Sequence, residues 1–153
     1  MPEELHKLIL QKETKKLFVG IGNVLKRDDG VGVYISDRIR RTDCIDSLTV
    51  EVSIENYIGK INSLNPELLI LVDCMYLDQS PGSFKIIEID RLTDQTFNTH
   101  NISLNRLREF FHMPVLVLGI QPMEISFGET LSHPVRESAD KILVEINYWQ
   151  KKI

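Results

Sequence analysis

Leu17-Phe18-Val19-Gly20-Ile21-Gly22-Asn23-Val24-Leu25-Lys26-Arg27-Asp28-Asp29-Gly30-Val31-Gly32 passes from an apolar run, through a turn bounded by glycines, into residues spaced for a helix. Leu17 to Val19 reads as a buried strand, and Val31, Tyr34, Ile35 and Ile39 recur at helical spacing, so the helix is expected to end near Arg40 and Arg41. Asp28 and Asp29 therefore sit on a strand-to-helix turn. A dinucleotide fingerprint needs a third glycine three residues after Gly22, where this chain has Leu25. A phosphate would also meet two carboxylates there, so the turn suits a cation or a polarised water better than a polyanion.

Downstream, Leu48 to Val52 alternates like a strand with one covered face, and Glu55 to Ile61 reads as a short helix. Leu68-Leu69-Ile70-Leu71-Val72 is a continuous apolar run between Asn65-Pro66 and Asp73, the pattern of a strand buried on both faces. Pro81-Gly82 marks a turn before a strand through Phe84, Ile86, Ile87 and Ile89, antiparallel because the connection is too short for a helical crossover. His100 precedes a helix carrying Leu104, Leu107 and Phe111. Val115 to Ile120 supplies a further strand, and a closing helix begins at His133-Pro134. This alternation predicts an α/β fold of three α/β/α layers. Its mostly parallel twisted sheet should have about five strands, one of them antiparallel.

With 153 residues the chain has the size of one domain, divided here into an arm at 1–16 and a single domain at 17–153. The arm is either a short helix packed through Leu5, Leu8 and Ile9 or a frayed tail; it is neither a signal peptide nor a membrane span. A formal charge of −4 with no basic, aromatic-studded stretch disfavours nucleic acid as a partner. Cys44 and Cys74 lack a paired motif and read as small buried hydrophobes in a reducing, cytoplasmic setting.

In open α/β sheets ligands bind beyond the carboxyl ends of strands, where strand order reverses. If the first strand lies beside the one ending at Asp73, then Asp29 and Asp73 emerge on one rim. With His100 they would make a three-ligand site of oxygen and nitrogen donors suited to Ni(II), Zn(II), Co(II) or Mn(II). Each residue type also has a commoner use: an aspartate after a strand caps a helix, and a histidine such as His6, His112 or His133 lies at a cap or on the surface.

Gly20-Ile21-Gly22-Asn23 followed by Arg27-Asp28-Asp29-Gly30-Val31-Gly32 resembles the opening motif of hydrogenase maturation endopeptidases, which process the large subunit of nickel-iron hydrogenases. The resemblance continues in order through Leu69-Ile70-Leu71-Val72-Asp73, Pro81-Gly82, Thr99-His100-Asn101-Ile102-Ser103-Leu104 and Leu118-Gly119-Ile120-Gln121-Pro122. The last two segments look most like the branch serving formate-hydrogenlyase-type enzymes. The resemblance implies a phosphorylase/hydrolase-like fold and metal ligands at Asp29, Asp73 and His100. It also implies a nickel-loaded large-subunit precursor as substrate, cut once to remove a C-terminal extension. Nickel then arrives with the substrate, other divalent ions being able to substitute in crystals.

Metal-assisted hydrolysis and aspartic-type hydrolysis by Asp29 and Asp73 use the same residues. Gly22 and Asn23 are placed to approach substrate, and Asp28 serves as an orienter of the site or as a helix cap. Where many relatives carry a glycine pair, this chain reads Ser53-Ile54-Glu55-Asn56-Tyr57, which leaves substrate contacts on that side open. Asp29 stands where some relatives have glutamate. Two other readings use the same motifs: a nickel- or precursor-binding factor without turnover, and a peptidyl-tRNA hydrolase-like esterase. The esterase should carry a histidine-asparagine pair soon after the Gly-x-Gly-Asn turn, where Arg27-Asp28-Asp29 stands instead.

Overall fold

The structure is a computed structural model that describes residues 3–10, 14–92 and 104–151. Within these, β1 (Lys16–Ile21), β2 (Ile45–Glu51), β3 (Leu68–Cys74), β4 (Phe84–Glu88) and β5 (Val115–Ile120) form one sheet in the order β2-β1-β3-β5-β4. Neighbours run parallel except β4, which pairs antiparallel with β5 at the sheet edge. The short Pro81-Gly82 connection had pointed to that reversal, and Gly82 provides the turn with a φ of +90°.

Strands β1 and β3 are buried on both faces, which is why their sequences run apolar without interruption. On one face Phe18, Ile70, Val72 and Leu118 pack under α1 (Glu3–Leu10), α2 (Val31–Ser36) and α5 (His133–Lys151). On the other, Leu17, Val19, Leu69, Leu71 and Val117 pack under α3 (Ile58–Leu64) and α4 (Leu104–Leu107). The result is the expected three-layer arrangement. Leu5 and Leu8 of α1 enter the first of these cores, and His6 contacts Glu145 of α5, so the N-terminal segment is a packed helix.

Two boundaries differ from the periodicity. Helix α2 stops at Ser36 rather than near Arg40, because α5 supplies substitutes for the helical bonds: Asn147 accepts from the Arg40 N–H at 2.8 Å and donates to the Arg38 carbonyl at 3.1 Å. Ile39 nevertheless stays buried, which explains its helical spacing. The helix after β2 opens as a 3-10 turn over Ile54–Tyr57 and extends to Leu64, where Asn65 adopts a left-handed φ of +50° ahead of Pro66.

Candidate functional site

The chain leaves β1 toward β2 on one side and returns to β3 on the other, so strand order reverses between β1 and β3. Asp29 follows β1 and Asp73 lies near the end of β3, at the carboxyl rim of this reversal. Their approach depends on how closely α2 sits on the sheet. A Cβ on Gly32 would lie 2.2 Å from the Val72 carbonyl and 2.4 Å from that of Ile21, both backbone atoms. Gly32→Ala is therefore expected to lift α2 off β1 and β3 and to destabilise the fold by about 3 kcal/mol, read as a lowered urea midpoint.

Asp29 belongs to a 3-10 turn, Arg27–Gly30, and is only 1% exposed. The Asn23 N–H donates to its Oδ2 at 2.9 Å, and the Asn23 side chain accepts from the Leu25 N–H at 2.9 Å, closing the turn on itself. Gly22 makes this possible. Its φ is +142°, and a Cβ there would fall 1.9 Å from the Asp29 carbonyl oxygen. Gly22 and Asn23 are thus built into the support of Asp29.

Asp73 is fully buried, and its Oδ1 accepts from the Cys74 N–H at 2.8 Å. Burial raises the pKa of the Cys74 thiol well above its ordinary value, with Asp73, Asp29 and Asp28 adding to the effect in that order. A thiol so held is protonated and unsuited to nucleophilic attack. Tyr76, which the sequence reading did not single out, stands at the exposed end of β3; partial burial raises its phenol pKa, followed by Cys74 and Asp29.

Asp28 is fully buried and does not cap α2. Its carboxylate accepts four hydrogen bonds: from the Met123 and Glu124 N–H groups at 2.9 Å each, and from the Ser132 N–H and hydroxyl at 2.7 Å each. It fastens the β1–α2 turn to the loop after β5. Arg27 reinforces the joint through Glu124 at 2.8 Å and the Thr130 carbonyl at 3.2 Å. Four hydrogen bonds thus engage the Asp28 carboxylate inside the chain.

His100 lies outside the described residues. Among those described, no group of three or more His, Cys, Asp or Glu side chains could hold a metal ion. His112 and His133 are exposed, and His6 is occupied at the α1–α5 contact.

Residues 51–149 match the family model described as hydrogenase maturation protease. The chain belongs to the hydrogenase maturation protease family. A putative hydrogenase maturation protease of Methanocaldococcus jannaschii is 31% identical, over 88% of this chain and 90% of that protein. The hydrogenase 3 maturation protease of Escherichia coli K12 is 26% identical over 85% and 87%. A nickel-iron hydrogenase maturation protease from Thermococcus kodakarensis superposes with a TM-score of 0.84 at 25% identity, covering 97% of this chain and 99% of the other. No helix among the described residues is long and apolar enough to cross a membrane.

Proposed function

We propose that this maturation protease acts in the cytoplasm as an endopeptidase on a nickel-loaded hydrogenase large-subunit precursor, from which it removes the C-terminal extension. Asp29, Asp73 and His100 complete the coordination of the nickel that the substrate carries, so that cleavage waits for metal insertion. The observation that carries this reading is the pair of buried carboxylates, Asp29 and Asp73, at the strand-order reversal. Two carboxylates at one rim supply oxygen donors of the kind a divalent cation takes. The third donor is supported by position in the chain: Leu104, four residues after His100, is buried on the sheet face that Leu69 and Leu71 occupy, and alternation along β3 assigns Asp73 to that face.

In the hydrolytic step, water oxygen attacks the scissile carbonyl carbon while the carboxylate oxygen of Asp29 or Asp73 that does not face the nickel takes the water's proton. That proton passes to the departing amine as the peptide bond breaks. Asn23 contributes by fixing Asp29 through its N–H. Incubation with matched precursors tests the reading: nickel-loaded precursor shortens and nickel-free precursor does not. Equal shortening of both would remove nickel gating, and binding of loaded precursor without any shortening would favour the non-catalytic factor.

A further inference from the structure

The Leu118-Gly119-Ile120-Gln121-Pro122 segment carries a buried amide to which the hydrolytic step so far gives no part. Gln121 is 7% exposed. Its Oε1 accepts from the Leu77 N–H at 2.6 Å, and its Nε2 donates to the Pro122 carbonyl at 3.2 Å. Its main chain is also taken: the N–H donates to the Ser83 carbonyl at 2.8 Å, and the carbonyl accepts from the Gly82 N–H at 2.9 Å. One residue thus ties the exits of β3 and β5 to the start of β4.

This knot prolongs the edge of β3 beyond its last paired residue. The register between β3 and β5 runs to Cys74 opposite Ile120; the Met75 N–H then donates to the Ile120 carbonyl at 2.9 Å, and the Gln121 side chain takes the next rung at Leu77. Tyr76 lies between two N–H groups that both donate to the β5 side, the spacing of a strand edge, so the alternation of side chains carries through it. Cys74 belongs to the core under α2 and Met75 to the core on the opposite face, which returns Tyr76 to the α2 face. Asp29 stands in the turn that opens α2, and β1, the strand before that turn, pairs with β3 as far as Val72. Tyr76 is therefore on the Asp29 side of the crevice, 41% exposed and three positions after Asp73.

Peptide hydrolysis needs more than a base. As water attacks, negative charge gathers on the carbonyl oxygen, and a hydrogen-bond donor placed there in advance stabilises it. Ionised carboxylates such as Asp29 and Asp73 only accept, and would repel that charge. A phenol O–H donates without adding a positive charge that would repel a divalent cation from the crevice. Partial burial, with Cys74 and Asp29 adding to it, raises the Tyr76 pKa and keeps the phenol protonated at neutral pH. We propose that the Tyr76 hydroxyl donates a hydrogen bond to the scissile carbonyl oxygen, and that Gln121 is the residue that positions it. The bond from water oxygen to carbonyl carbon forms as the carbonyl π pair moves to oxygen. The phenol keeps its proton throughout, and the pair returns when the carbon–nitrogen bond breaks. This assignment rests on the proteolytic reading above.

Cleavage of nickel-loaded precursor by purified variants tests it. Tyr76→Phe is expected to lower kcat about 10²- to 10³-fold at unchanged KM and melting temperature. Tyr76→4-aminophenylalanine, which returns an N–H donor to the same ring, recovers about tenfold of that loss. Gln121→Met, close in size but without the amide, lowers kcat about tenfold in wild type and no further in Tyr76→Phe. A kcat for Tyr76→Phe within about twofold of wild type overturns the proposal, as do a change confined to KM and equal rates for the phenylalanine and aminophenylalanine variants. Full additivity of Gln121→Met with Tyr76→Phe overturns the positioning role of Gln121. If wild-type protein leaves the precursor intact, the proteolytic reading falls and takes this assignment with it; cleavage by wild type with an unaffected Tyr76→Phe removes the assignment alone.

Discussion

Asp73→Asn should slow the shortening of nickel-loaded precursor by roughly 10²- to 10⁴-fold, the range spanned by the loss of a positioned acid-base group. The substitution keeps the size of the side chain and leaves an amide oxygen to accept the Cys74 N–H that Asp73 Oδ1 now accepts. Because the amide matches the carboxylate in shape, the variant should stay folded, and its melting temperature separates a folding defect from a chemical one. A catalytic loss paired with undiminished stability is the signature of a chemical role. Unchanged processing by Asp73→Asn would take this residue out of the mechanism.

Asp28→Ala should show the opposite pattern. Four donors from Met123, Glu124 and Ser132 lose their acceptor in a fully buried position. Each stranded donor costs about 1 to 3 kcal/mol, and because neighbouring losses do not add fully, a total of about 3 kcal/mol is expected. In a chain of this size that lowers the melting temperature by about 6 to 12 °C. Calorimetry on the purified variant measures it directly. Processing should fall as well, because Asp29 follows Asp28 and rides on the same turn. A variant that melts normally yet fails to process would return Asp28 to direct contact with substrate.

The contrast between these adjacent residues shows how far a local reading reaches. Both sit on the strand-to-helix turn in sequence, and both looked like candidates for a cap, a ligand or an orienter. Asp28 is distinguished by partners 95 to 104 positions away, in a loop whose own sequence gives no periodic signal. Glu51 was similarly unmarked: the sequence shows an alternating strand, whereas its left-handed backbone arises from the pairing of β2 with β1. The early end of α2 likewise depends on Asn147, more than 100 residues later.

The amino-acid order alone determined the alternation of strands and helices, the burial of β3 on both faces, the antiparallel direction of the strand after Pro81-Gly82 and the presence of acidic residues where strands end. Those features follow from apolar periodicity and from turn residues, which act over a few positions. Tertiary structure decided that β1 and β3 are neighbours with the reversal between them, and which aspartate fastens a loop and which stays at the crevice. These depend on pairings between distant segments, whose free energy is realised only when the sheet has assembled and the groups are shielded from water together.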